Sequence, residues 1–234
     1  MIIAIDGTSG SGKSTIAKKL ASTLGFGFFS AGDLYRAITH KALRIGIDEN
    51  DETRLRNMIE TTKIIYTYNG VHNIMEVDGI DITVTLHDEQ ISENVTKYAS
   101  KEFVREYVRK LQKDMPNHTK DIVMEGRDIG SVIFPDADFK VYVDCDAETR
   151  AQRRFSDLSA NDPTLSYEKV LEDLKERDFK DITRAISPLI MCENAYLLDT
   201  SSTNIRDCIK KLINQMITRG LLPADYLENH EIKV

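Results

Sequence analysis

Gly7-Thr8-Ser9-Gly10-Ser11-Gly12-Lys13-Ser14-Thr15 matches G-x-x-x-x-G-K-[ST] and stands where that pattern must stand. The apolar run Ile2-Ile3-Ala4-Ile5 before it reads as a short buried strand. The segment from Thr15 reads as the start of an amphipathic helix. Strand, glycine turn and helix N-terminus together form a phosphate cradle, because backbone N–H groups converge there and the helix dipole favours anions. Gly7, Gly10 and Gly12 permit backbone shapes that a side chain would block. Lys13 reaches the terminal phosphates, and the Ser14 hydroxyl is placed to ligate Mg²⁺.

Outward from this loop the chain alternates. Phe26 to Ser30 reads as a second strand, followed by a helix from about Leu34 to Ile45 and another over Asp51–Glu60. The character then changes. Lys63-IIYTY, Asn73-IMEV and Ile80-DITV are short β-rich runs, separated by the turn signals Asn69-Gly70 and Asp78-Gly79. They predict a small antiparallel sheet inserted in an α/β chain. One helix is expected from Glu89 to about Met115, with Val95, Ala99, Phe103, Tyr107 and Leu111 at spacing four and Pro116-Asn117 ending it. Asp121-IVME and Phe139-KVYVD are the next parallel-type strands. A helix over Glu148–Phe155, a polar loop over Ser156–Thr164, a helix over Tyr167–Phe179, the strand Tyr196-LLD and a helix over Ile205–Arg219 complete the pattern. Residues from Gly220 onward lack periodicity and are expected to pack loosely. Alternating strands and helices imply a five-stranded parallel sheet in a three-layer α/β sandwich, with ligands at the carboxyl ends of the strands.

The totals narrow the function. The 234 residues suit one sizeable core with an insertion, and a net charge of −7 argues against a general nucleic-acid binder. No apolar run reaches the roughly 20 residues of a membrane span. Cys145, Cys192 and Cys208 have no metal-ligand spacing, and an odd number of cysteines points to buried free thiols in a reducing, cytoplasmic setting. The five histidines are scattered and take no catalytic role.

Four further groups of residues carry chemistry. Met124-Glu125-Gly126-Arg127-Asp128 places an acid at a strand end, where Glu125 can hold a water on Mg²⁺ while Arg127 and Asp128 face a neighbouring ligand. Arg150, Arg153 and Arg154 flank the polar loop on one side and Arg177 and Arg184 on the other; Arg177, Asp181 and Arg184 share a face if their helix persists. Charge runs of this kind are ordinarily solvated faces. Beside a phosphate loop they instead suit a closing lid that brings guanidinium groups to a transferring phosphate. Arg36, after the second strand, can clamp an acceptor phosphate. Ser100 and Arg105 would pass for surface residues on spacing alone.

At these residues the chain resembles the bacterial cytidylate kinase family from Met1 to about Arg219. The resemblance is carried by IAIDGTSGSGKST, SAGDLYRA, EGRDIGSVIFPDA, RAQRR, KERDFKDITRAISPL and YLLDTSS. It implies a core over 1–60, 96–154 and 178–234, an insert binding a nucleoside monophosphate over 61–95 and a lid over 155–177. It implies ATP binding by Gly7–Thr15 with Arg150. It implies CMP binding by Ser30, Arg36, Ser100, Arg105, Arg127, Asp128, Arg177, Asp181 and Arg184. Catalysis would fall to Lys13, Arg127, Arg184 and Arg154, with Mg²⁺ on Ser14 directly and on Glu125 through water. Glu125 stands where many members carry Asp, and the stretch before Val104-Arg105-Glu106 is shorter than is usual.

The resemblance further implies a monomeric enzyme passing the γ-phosphoryl of ATP to CMP or dCMP. An Asp128 carboxylate would accept from the cytosine amine, and Arg105 would donate to the ring acceptors. Uracil presents an oxygen instead of that amine, and an unpaired buried acceptor costs roughly 1–3 kcal/mol. Two alternatives remain at this point: a kinase of another small acceptor, such as UMP or shikimate, and a regulatory NTPase. The inserted sheet and the K-E-R-D-x-x-D-x-x-R segment weigh against the first. The lack of N-K-x-D and D-x-x-G weighs against the second.

Overall fold

The run after Met1 forms β1 (Ile2–Gly7), and Lys13–Leu24 forms α1, with the glycine turn between them. The structure is a computed structural model and describes residues 1–69, 72–159 and 164–233. It divides into two compact units, Met1–Phe26 with Asp121–Val234, and Gly27–Lys120.

In the first unit β6 (Ile122–Gly126), β1, β7 (Phe139–Asp144) and β8 (Tyr196–Asp199) run parallel in the order β6-β1-β7-β8. The whole parallel sheet has five strands. Ile3 stands opposite Val123 on one side and Phe139 on the other, and all three are fully buried. Continuous apolar strands of this kind are what a sheet covered on both faces requires. Helices α6 (Ala147–Leu158) and α7 (Tyr167–Thr183) pack on each other through Ala151, Val170 and Leu174, with Phe155 and Tyr167 edge to face beside them. Helix α6 runs to Leu158, so the polar loop expected from Ser156 is shorter. Its Asn161-Asp162-Pro163 lies outside the described residues, as does part of the expected lid. Helix α8 (Ile205–Thr218) is capped by Asn204, whose side chain accepts from Asp207 N–H.

The second unit holds β2 (Gly27–Ser30), α2 (Ala31–Arg44), α3 (Glu52–Thr61) and an antiparallel sheet of β3 (Ile64–Tyr68), β4 (Asn73–Val77) and β5 (Ile80–Asp81). The Asp78-Gly79 turn has both residues at positive φ, 52° and 80°, as a tight hairpin needs. Gly70, in the other expected turn, lies outside the described residues. β5 stops after two residues instead of continuing to Val84. The Asp81 carboxylate accepts from both the backbone and the hydroxyl of Thr83, at 2.9 and 2.6 Å, which turns the chain into a 3₁₀ turn over Thr83–Thr85.

The single helix expected from Glu89 is two, α4 (Glu89–Ala99) and α5 (Glu102–His118). A spacing of four drifts about 40° per step on a helix of 3.6 residues per turn. No straight helix could keep Val95 and Leu111 on one face. The break at Ser100-Lys101, where Lys101 turns extended (ψ 130°), resets the phase. Val104, Val108 and Met115 are buried instead of Phe103, Tyr107 and Leu111. Helix α5 also passes Pro116 by two residues.

The segment after Gly220 does not hang loose. Tyr226 begins α9 (Tyr226–Asn229), is buried, and donates its hydroxyl to the Thr23 carbonyl of α1 at 3.2 Å. Lys233 N–H reaches the Thr23 hydroxyl at 3.2 Å. Cys145 and Cys208 are buried free thiols as expected, but Cys192 is only partly buried. Among the described residues no helix is long and apolar enough to cross a membrane. Tyr226→Phe should lower stability by about 1 kcal/mol through the lost hydrogen bond. Tyr226→Ala should lower it by about 3 kcal/mol through the lost packing. Urea unfolding checks both, and an unchanged midpoint for Tyr226→Ala would mean that the tail contributes nothing.

Candidate active site

The phosphate loop is built by close approach. A Cβ on Gly7 would lie 2.1 Å from the Val143 carbonyl oxygen, so β1 and β7 admit no side chain there. Gly12, at φ 82°, is the left-handed residue that turns the chain into α1. Lys13 is 6% exposed, with Nζ donating to the Thr8 carbonyl at 3.2 Å across the loop. Burial pulls its pKa down from 10.5 to about 7. Arg127 and Arg177 pull the same way, and Glu125 and Asp181 oppose them.

Three contacts fix the loop from outside. Thr200, just beyond β8, donates its hydroxyl to Ser11 O at 2.9 Å. Asp178 of α7 accepts from Ser9 N–H at 3.2 Å. Arg150 of α6 donates to Ser9 O at 2.8 Å and to Cys145 O at 2.9 Å, and pairs with Asp178 at 2.6 Å. Both polar groups of the Ser9 backbone are thus held by one buried ion pair. Arg150 was expected beside the nucleotide; here it is engaged with the loop itself. Arg153 donates to Thr200 O at 2.7 Å, and Arg154 is exposed on the same helix.

On α1 and β6, Ser14 Oγ donates to Glu125 Oε1 at 3.0 Å, and Glu125 is 4% exposed. A hydroxyl and a buried carboxylate already in contact are an oxygen pair that a hard divalent cation fits. Among the described residues no group of three or more His, Cys, Asp and Glu could hold a metal ion.

Beside β6, Arg127 Nε donates to Asp181 Oδ2 at 2.8 Å, and Arg184 Nη1 donates to Asp181 Oδ1 at 3.4 Å. One carboxylate thus brackets two expected phosphate arginines. They meet by a route that helix spacing does not describe. Helix α7 ends at Thr183, and Arg184 is extended (ψ 140°) with Nε on Ser187 O. Arg184 is therefore off the helical face expected to carry it. Asp128 is buried at the start of a π-helical turn over Ile129–Ile133. Asp6, at the end of β1, accepts from Ile129 N–H at 2.8 Å and Gly130 N–H at 2.7 Å. Burial pushes the Asp6 pKa up to about 6; the two N–H donors and Arg127 oppose this, and Asp128 adds to it.

The second unit carries its own polar set. Ser30 opens α2, and its N–H donates to Tyr66 Oη at 3.3 Å. That hydroxyl donates to Asp33 at 2.7 Å and accepts from Asn73 at 2.7 Å. Burial and the Asp33 charge hold the Tyr66 pKa well above 10. Arg36 donates to Ser92 Oγ at 2.9 Å, and Arg105 lies 5.7 Å from the Tyr35 ring centre. Ser100 caps α4 with its hydroxyl on Lys97 O at 2.6 Å. The break between α4 and α5 separates it from Arg105, so helical phase does not relate the two.

The sequence reading missed Asp6, Asp178, Thr200 and the Tyr66 cluster. Asp6 and Asp178 sit inside the quoted IAIDG and KERD segments, and a buried acid beside a phosphate loop was the available signal.

A family model described as Cytidylate kinase matches residues 3–218. A cytidylate kinase of Desulfitobacterium hafniense (strain Y51) is 38% identical over 212 residues, covering 91% of this chain and 90% of that protein. A cytidylate kinase of Caldanaerobacter subterraneus subsp. tengcongensis is 39% identical over 210 residues, covering 90% and 92%. Among solved structures, an uncharacterised protein of Eubacterium ventriosum ATCC 27560 aligns with a TM-score of 0.51 at 12% identity, over 93% of this chain and 99% of that one, and supports the fold alone.

The depressed Lys13 pKa has a measurable sign. With its pKa near 7, Lys13 of the free protein should be mostly neutral at pH 8, and a bound triphosphate should restore its charge, so binding should take up close to one proton. Affinity should fall with pH above about 7. Calorimetry in two buffers of different ionisation enthalpy should show this uptake at pH 8 and little at pH 6, and Lys13→Met should abolish it. Equal heats in the two buffers at pH 8 would contradict it.

Proposed function

The chain belongs to the cytidylate kinase family, and from that membership we propose that it transfers the γ-phosphoryl group of ATP to CMP and dCMP, giving CDP or dCDP and ADP. It is an ATP-dependent nucleoside monophosphate kinase with a P-loop. The observation that best supports the transfer chemistry is the buried Lys13 within a field of Arg127, Arg177, Glu125 and Asp181.

The attacking oxygen of a monophosphate is already ionised, so no general base is needed. Catalysis is positioning and charge neutralisation. The loop N–H groups and Lys13 hold the donor phosphates. Mg²⁺, when bound, supplies further neutralisation of phosphate charge; Ser14 would hold it directly and Glu125 through water. Arg127 and Arg184 leave Asp181 in part to meet the transferring phosphoryl. Asp181 and Arg177 then bind the sugar hydroxyls. Arg154, exposed on α6, is free to swing onto phosphate as the lid closes, which excludes water. Arg36 takes the acceptor phosphate, with Ser30 and Ser100 contributing to acceptor binding. Asp128 and Arg105 read the cytosine edge, and Arg150 secures the loop that grips ATP.

An acceptor panel of CMP, dCMP, UMP and AMP in a coupled ADP-release assay tests the reading. CMP and dCMP should be used well, UMP about 5- to 150-fold less well by kcat/KM, and AMP poorly. Asp128→Ala should erode the CMP-over-UMP preference more than kcat on saturating CMP. ADP release independent of any acceptor would overturn the kinase reading, and equal use of UMP would overturn the base-reading role.

A further inference from the structure

We propose that Asp6 is a positioning residue for base selectivity, acting through the turn that begins at Asp128. This rests on the reading of Asp128 as the carboxylate that accepts from the cytosine amine. Asp6 lies in the strand before the phosphate loop, and nothing in the P-loop pattern assigns it a role toward the acceptor.

The geometry is specific. The first N–H groups of any helical turn lack partners within it. Asp6 supplies acceptors for two of them, Ile129 N–H through Oδ1 at 2.8 Å and Gly130 N–H through Oδ2 at 2.7 Å. The far end of the turn bonds back to Asp128, whose carbonyl accepts from Val132 N–H at 2.9 Å and Ile133 N–H at 3.1 Å. The peptide following Asp128 is therefore held at its carbonyl from within the turn and at its N–H by Asp6. Rotation about ψ of Asp128, which stands at 22°, swings the Ile129 N–H off Asp6. The backbone from which the Asp128 carboxylate projects is thereby locked, and Asp128 is 6% exposed.

A locked carboxylate is what discrimination demands. Uracil is rejected because its exocyclic O4 carbonyl oxygen meets a carboxylate with no proton between them. A carboxylate able to retreat would relieve that clash and lose the preference. Only a carboxylate accepts both N–H groups at once; an asparagine offers one acceptor oxygen and sets an NH₂ against the other donor. Gly130 closes the arrangement. A Cβ there would lie 3.3 Å from Lys140 Cδ and 3.4 Å from Asp6 Oδ2, so an alanine presses on the same lock from the other side.

The test compares kcat/KM for CMP and UMP in the parent, Asp6→Asn, Gly130→Ala and Asp128→Ala, with urea midpoints for each. Asp6→Asn should reduce the CMP-over-UMP preference about fivefold or more, toward the value of Asp128→Ala, while kcat on saturating CMP falls by a smaller factor. Gly130→Ala should shift the preference in the same direction and stay folded, and it decides alone if Asp6→Asn does not fold. A preference unchanged in Asp6→Asn and Gly130→Ala but lost in Asp128→Ala would overturn the role of Asp6. A preference unchanged in Asp128→Ala would remove the base reading, and the proposal with it.

Discussion

Lys13 is a cation kept where cations are badly solvated. Its burial and the guanidinium groups of Arg127 and Arg177 work against its charge, and the carboxylates of Glu125 and Asp181 work for it. That imbalance organises the surrounding chemistry. Asp181 shares its two oxygens between Arg127 and Arg184, and Asp178 balances Arg150. Each acid occupies a position from which it steadies an arginine. Phosphate groups entering the loop would take over that balancing, so the site is arranged around the charge of its ligands.

The fold serves this by joining the loop to the helices that carry the arginines. Ser9 is gripped through both backbone groups by Arg150 on α6 and Asp178 on α7. Arg177 is next to Asp178 in sequence, and Asp181 is one turn further along the helix. The distance from the loop to those residues is therefore set by one turn of helix and one ion pair. A buried pair of this kind adds little net stability. Its value lies in the register it imposes on the two helices.

What could be read from the chain followed the range of the interactions. The strand, loop and helix at residues 2–24 were legible because their pattern is local and complete. The family segments also placed Arg127, Asp128, Asp181 and Arg184 in one functional group, three of which the structure joins through Asp181. The misreadings came from contacts that the periodic pattern does not carry. β5 ends early because Asp81 bonds to Thr83, a side-chain competition that β propensity ignores. A single helix from Glu89 to Met115 fails because a spacing of four drifts out of phase over that length, and the break at Ser100-Lys101 resets it. The turn after Asp128 depends on Asp6, 123 residues earlier, and the order of the tail depends on Thr23, 203 residues away from Tyr226. No window along the sequence contains both partners.

Gly7 faces a carbonyl oxygen at a distance where even a methyl group cannot stand. The obstruction is backbone from the neighbouring strand, so no rotamer change or side-chain adjustment elsewhere can make room. For a lineage accumulating random substitutions, codon 7 therefore offers a single usable amino acid, while much of the outer surface can wander.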